Sequence, residues 1–200
     1  MIPAVVLAAG KSSRMGRTKA LLPVGSLHET FLTRIIRVLR EGGIDAIVVV
    51  IGGDAAAVRA SLPRSDASLA AVENPRYEEG QLSSLLVGLA AVEQRHDEVD
   101  AVMVTLVDLP LISADTVRSV LDAFRAKPDA PLVRPRRGGR YGHPVIFNRS
   151  IFGELRRADP SKGAKPVVHT YAAQEVNVDV VDDGAFIDID TPEDYERFIG

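Results

Sequence analysis

Apolar and polar positions alternate along this chain in two rhythms. Short apolar runs lie at 5–9, 47–51 and 101–107, and the unbroken β-branched run 47–51 suits a parallel strand covered on both faces. Between the first two, Phe31, Leu32, Ile35, Val38 and Leu39 fall on one helical face, with Thr30 placed to cap the helix and Gly42-Gly43 to end it. Gly52-Gly53-Asp54 turns the chain into a second helix that ends near Leu62-Pro63. Leu82, Leu85, Leu86 and Leu89 mark a third, and Ser113 starts a fourth through Phe124, with Asp115 in the first turn where the helix dipole favours it. Weaker strands at 69–72 and 176–181, a turn and strand at 142–147 and a short helix at 151–157 complete the pattern. The opening βαβα order predicts an α/β fold wound on both sides of its sheet.

Composition narrows the class. Two hundred residues with 46% hydrophobic content can close one large core, so a single domain over 1–200 is expected. The chain has no cysteine, which excludes disulfides, zinc–thiolate sites and thiol catalysis and is compatible with a cytoplasmic location. A net charge of −3 offers no global field for nucleic acid. The apolar start lacks a charged leader and runs straight into a glycine loop, so it reads as a strand and not as a signal peptide. No segment approaches the roughly 20 apolar residues of a membrane span.

The chemistry concentrates where strands end. Leu7-Ala8-Ala9 empties into a loop that holds two glycines, Gly10 and Gly16, two serines and the cations Lys11, Arg14, Arg17 and Lys19. Small residues let successive N–H groups converge on an anion while the side chains add charge, so the loop suits a polyphosphate; a merely solvated strand-to-helix loop is the plainer alternative. Its glycine spacing matches neither G-x-G-x-x-G nor the P-loop, which disfavours a dinucleotide oxidoreductase. Asp108 closes the most hydrophobic strand, at the carboxyl end where α/β sheets collect ligands, although aspartate before Leu109-Pro110 also suits a turn. Asp188 and Asp190, two apart in extended chain, project to one side while Ile187 and Ile189 anchor the other. Thr191-Pro192 with Asp194 resembles a capping box, which gives Asp194 a structural role.

Other polar clusters are more open. Ser83 and Ser84 stand in a first helical turn, where capping is the ordinary role and a ribose pocket the functional one. Arg134, Arg136, Arg137 and Arg140 lie among prolines and glycines and read as a basic loop, either an anion site or simply solvated. His143 sits in a turn with no visible partner.

Taken together, these stretches resemble the MobA-like nucleotidyltransferases, and within them the molybdenum cofactor cytidylyltransferases. The opening L-A-A-G-K-S-S-R-M-G-R-T-K is similar to that family's L-A-A-G-x-S-x-R-M-G-x-x-K signature. Asn74-Pro75 through Gly80-Gln81-Leu82-Ser83-Ser84, Val107-Asp108-Leu109-Pro110, Gly142-His143-Pro144, Ser161-Lys162-Gly163-Ala164-Lys165 and Asp188-Ile189-Asp190-Thr191-Pro192 follow in the family's order. The resemblance implies a three-layer α/β/α Rossmann-like nucleotidyltransferase fold with a mostly parallel central sheet. It also implies Mg²⁺-dependent transfer of a nucleoside monophosphate, from CTP or GTP, to a phosphorylated acceptor such as molybdopterin, with room for transient contact with a molybdoenzyme or its chaperone. By position, Leu7, Ala8, Ala9 and Gly10 would meet the nucleotide, and Arg14 and Lys19 would neutralise its triphosphate. Asp108, Asp188 and Asp190 would hold the metal. Asn74, Gly80, Ser83 and Ser84 would border base and ribose, which reverses the capping reading. Leu109 and His143 depart from the family's usual glutamine and asparagine or arginine, both expected near the acceptor. A sugar or polyol phosphate as acceptor, and a nucleotide-binding module without chemistry, are the competing readings.

Overall fold

The apolar runs pair edge to edge and the amphipathic helices cover both sides of the resulting sheet. The computed structural model describes residues 1–25, 29–63 and 65–200. Strand β1 (Ala4–Ala8) is followed by a small hairpin, β2 (Pro23–Val24) and β3 (Glu29–Thr30), which feeds α1 (Phe31–Glu41). Then come β4 (Ile47–Ile51), α2 (Ala55–Ala60), β5 (Leu69–Glu73), α3 (Gln81–Arg95), β6 (Ala101–Leu106) and α4 (Ala114–Ala126). The last third holds β7 (Leu132–Arg137), β8 (Arg140–Tyr141), β9 (Val145–Asn148), α5 (Phe152–Arg157), α6 (Lys165–Thr170), β10 (Val176–Asp179) and α7 (Pro192–Phe198).

The main sheet runs β5-β4-β1-β6-β9-β7-β10, with β8 folded onto β7. The pairs β1–β4, β1–β6, β4–β5 and β7–β10 are parallel, while β9 lies antiparallel to both β6 and β7, and the short β8 lies antiparallel to β7. Strand β1 splits its side chains between two cores. Ala4, Val6 and Ala8 pack with Phe31, Leu32, Leu39, Val120 and Phe124 from α1 and α4. Val5, Leu7 and Ala9 pack with Leu82, Leu85 and Leu89 from α3 and with Phe152 and Leu155 from α5. The result is the expected three-layer arrangement, and each fully buried large side chain stabilises it by about 1.5–3 kcal/mol. From β1 the chain winds outward to β4 and β5, then returns to place β6 on the other side of β1. That reversal opens a crevice beyond the carboxyl ends of β1 and β6.

The helix starts follow the sequence rules. Thr30 and Thr33 form a reciprocal capping box on α1, Ser113 accepts from the Thr116 N–H, and Thr191 and Asp194 form the box expected on α7. Neither Ser83 nor Ser84 caps α3, whose N-cap is Gly80. The arginine-rich segment differs from its sequence reading. It is a two-residue hairpin between β7 and β8, turned at Gly138 and Gly139, whose φ values of 54° and 79° match the positive φ that such a turn requires. Among the described residues no helix is long and apolar enough to cross a membrane.

Candidate functional site

The crevice between β1 and β6 is a cleft of about 340 Å³. Leu7, Ala8, Ala9 and Gly10 form one wall, the loop through Arg14, Thr18 and Lys19 forms another, and Gly80 and Ser84 a third. Asp108 and Asp190 close it. The loop is held by its own short bonds. Ser12, at φ 51°, accepts through its carbonyl from the N–H groups of Met15 and Gly16, and its hydroxyl accepts from Lys19 N–H at 3.1 Å. The buried Met15 side chain roots the loop in the core. Among the described residues none accepts from the N–H groups of Lys11, Ser12, Ser13 or Arg14, so these donors border the cleft in the manner of an anion nest. Thr18 is tied to Asp54 at the start of α2. At the end of β4, a Cβ on Gly52 would strike the Ala9 carbonyl and approach the Tyr77 ring at 2.8 Å, so only glycine lets these strand ends pack so closely.

Lys19 joins the distant acids. Its side chain is nearly buried, and its ammonium reaches Asp190 Oδ1 as well as Asp108 Oδ2 at 3.5 Å. Arg14 holds the other Asp190 oxygen at 2.8 Å. Burial works to raise the Asp190 pKa, but the hydrogen bond and charge of Lys19, then of Arg14, outweigh it and hold the carboxyl below its ordinary range. Asp188 goes the other way: desolvation by its surroundings, with the charges of Asp108 and Asp190 added, raises its pKa although its surface is exposed. The closing segment is pinned where these acids need it. Ile189, fully buried, donates its N–H to the Asp108 carbonyl at 2.8 Å, and Asp194 accepts from Asp190 N–H at 3.1 Å. Gly142 packs directly against the Ala185 carbonyl and the Phe186 ring, where any side chain would push this segment away.

These acids fit a divalent ion in part. The Oδ1 atom of Asp108 is buried without a hydrogen-bond partner, an acceptor whose desolvation is costly unless something binds it. Among the described residues, however, no group of three or more His, Asp or Glu side chains is gathered closely enough to hold a metal unaided. Asp108 and Asp190 therefore suit a hard cation that draws its remaining oxygens from a bound phosphate and water, a habit of Mg²⁺.

Asn74 and Ser83 stand behind the cleft wall. Asn74 is 1% exposed and donates to Ser83 Oγ at 2.9 Å and Ser84 Oγ at 3.0 Å, while Ser83 in turn donates to the carbonyls of Arg76 and Gly80. The pair braces the 75–80 loop, and of this cluster Gly80 and Ser84 reach the cleft. The four arginines do not converge on an anion. Arg136 pairs with Asp179 and Arg137 with Asp183, while Arg140 donates to the Phe186 carbonyl. Arg134 pairs with Glu175.

A second, larger cavity of about 730 Å³ adjoins the first and shares Leu7, Gly80, Gln81 and Leu106 with it. Its floor is apolar, with Leu82, Leu85, Leu132, Val145 and Phe147, and its cations are Arg134, Lys162 and Lys165. His143 lines it, held through Nδ1 to the Val104 carbonyl at 3.2 Å; burial lowers its pKa and favours the neutral ring. Leu109 does not reach either cavity: it is 1% exposed and packs in the core beside α4, so this departure from the family pattern is a core residue. Gln81, inside the motif that runs from Gly80 to Ser84, lies in the walls of both cavities, and Tyr141, to which the sequence reading gave no role, belongs to the wall of the larger one. An exposed aromatic between Arg140 and a glycine was the available signal for Tyr141.

A family model described as the MobA-like NTP transferase domain matches residues 4–176. The chain belongs to that family. It is a MobA-like nucleotidyltransferase, and Asp188 and Asp190 lie beyond the matched span. Molybdenum cofactor cytidylyltransferase from Escherichia coli (strain K12) is 24% identical over 201 residues, covering 97% of this chain and 93% of that protein. The crystal structure of Rv0371c from Mycobacterium tuberculosis H37Rv superposes with a TM-score of 0.80 at 34% identity, covering 99% of this chain and 96% of that one. The same mycobacterial protein has been solved as a complex with manganese, which superposes at 0.76 with 32% identity over 99% and 97% of the two chains. The fold of that mycobacterial protein is thus shared over nearly the whole of this chain, and that protein has been seen with a divalent metal.

Proposed function

We propose that residues 1–200 act as one domain that transfers CMP from CTP to the phosphate of a molybdopterin-type acceptor, releasing pyrophosphate. The observation that carries this reading is the convergence of the glycine loop, Asp108 and Asp190 on Lys19, because it sets anion donors and metal-competent carboxylates on one cleft. The neighbouring cavity has the size and charge for a phosphorylated acceptor, and the two share Leu7, Gly80, Gln81 and Leu106 in their walls. The choice of CTP rests on likeness to the Escherichia coli enzyme.

In this reading the N–H groups of the loop and the walls from Leu7 to Gly10 and from Gly80 to Ser84 hold the nucleotide. Lys19 and Arg14 offset charge growing on the departing pyrophosphate. Lys162 and Lys165 steady the acceptor phosphate so that its oxygen faces the α-phosphorus in line, and most of the catalysis is positioning and charge neutralisation. Asp108 and Asp190, with Asp188 behind them, would hold Mg²⁺, which when bound supplies further neutralisation of phosphate charge. No covalent nucleophile is required. Among the larger cavity's features, the apolar floor of Leu82, Leu85, Leu132, Val145 and Phe147 favours an acceptor with an apolar-faced ring body over a sugar or polyol phosphate.

The test is pyrophosphate release from CTP, GTP, ATP and UTP with Mg²⁺, each with molybdopterin, a sugar phosphate and a polyol phosphate as acceptor. Release from CTP that depends on molybdopterin is the expected result. Release with GTP in its place would reassign the base, and release that needs a polyol phosphate would reassign the acceptor.

A further inference from the structure

Among the described residues three large apolar side chains are exposed, Met1, Tyr141 and Val181, and of these Tyr141 lines a cavity. It lies on β8 at the rim of the larger cavity with 49% of its surface open. One face of its ring is covered: the guanidinium carbon of Arg134 sits 3.6 Å from the ring centroid. Arg134 is itself fixed from behind by Glu175, 2.8 Å away and almost wholly buried, and Asn177 donates to the same carboxylate at 3.2 Å. This support has a cost, since Arg134 Nε is buried with no hydrogen-bond partner. β7 and β10 with the residue before it therefore hold a cation over one face of an aromatic ring that lines the cavity and keeps about half its surface open.

We propose that Tyr141, backed by Arg134, is the stacking platform that selects a flat heterocyclic acceptor. The inference rests on the reading of the larger cavity as the acceptor site. A ring with two side-chain torsions, clamped on one face, loses little freedom when a second flat ring covers the other. Leu132, Val145 and Phe147 supply the apolar floor that such a ring needs. His143, two residues along, donates from Nδ1 to a carbonyl, which leaves Nε2 as an acceptor for a ring N–H. Lys162 and Lys165 carry the charge for the attached phosphate. A polyol phosphate could use the lysines but would gain nothing from Tyr141.

The test uses neopterin monophosphate as fluorescent probe, in a chain whose lack of tryptophan keeps the background low. Tyr141→Ala is expected to weaken its binding about tenfold, in the range of one lost base–aromatic stack. Tyr141→Phe keeps wild-type affinity, and inositol monophosphate binds all forms alike by calorimetry. In transfer assays Tyr141→Ala raises the KM for molybdopterin with kcat near wild type. Unchanged probe affinity in a Tyr141→Ala protein with wild-type circular dichroism overturns the proposal, as does equal weakening in Tyr141→Phe or equal weakening toward inositol monophosphate. Unchanged KM in a Tyr141→Ala enzyme that still transfers CMP overturns the platform and leaves the function standing; wild-type protein that transfers nothing to molybdopterin overturns the function itself.

Discussion

An Asp108→Asn protein is expected to lose nucleotidyl transfer by about a hundred- to a thousandfold while melting close to the wild type. The substitution keeps the shape of the side chain and removes its charge. It also turns an amide toward the Lys19 ammonium, which now meets a carboxylate oxygen at 3.5 Å, and it neutralises the buried Oδ1 that has no other partner. Most of what Asp108 does for the fold passes through its backbone, whose carbonyl accepts from Ile189, and that bond survives, while Lys19 keeps its nearer partner Asp190. Pyrophosphate release and a thermal melt on the same preparation check both halves. A variant that turns over normally would remove Asp108 from the chemistry; one that unfolds would make it structural.

Lys19→Ala should damage both rate and stability, and the stability loss should respond to metal. The lysine is 8% exposed, and its ammonium is the inner cation facing Asp108 and Asp190, while Arg14 stands further out with 69% of its side chain exposed. Removing the partner of a fully buried ion pair costs about 3–5 kcal/mol, and because both carboxylates are about a quarter exposed the cost here falls to about 2 kcal/mol. In a chain of 200 residues that is a fall in Tm of about 4–8 °C. Millimolar Mg²⁺ or Mn²⁺ should recover most of it by taking over the charge that the lysine supplied, and should shift the wild type less. Turnover should fall at least about tenfold, since one charged hydrogen bond to the departing phosphates is lost. A variant that melts and turns over like the wild type would remove Lys19 from the chemistry and from the ion pairing that holds the acids.

Much of this site is legible in the sequence because its signals are local. The strand that empties into a glycine- and cation-rich loop, the aspartate closing β6, and the threonine–aspartate box that starts α7 are each written within a dozen residues, and backbone sterics and capping then dictate the local shape. What joins them is not local. Lys19 and Asp190 are 171 positions apart, and only the sheet order brings β1 beside β6 and the closing segment onto Asp108. The same limit hid the β7–β8 hairpin. Proline and four arginines mimic a solvated loop, yet their partners Glu175, Asp179 and Asp183 arrive from β10 and its flanks. The Asn74–Ser83–Ser84 cluster shows a third case. Its residues are visible as a motif, but which of them face the cleft depends on packing, which turns Asn74 inward as a brace.

The central claim is that a triphosphate lies along the glycine loop with its α-phosphorus, and not its γ-phosphorus, presented to an acceptor in the adjoining cavity. CTP carrying radioactive phosphorus at the α position, incubated with Mg²⁺, molybdopterin and the wild-type chain, tests it most directly. The account predicts that the α label moves into the acceptor while a γ label leaves as pyrophosphate. A γ label found on the acceptor, or an α label that stays in CTP, would contradict it.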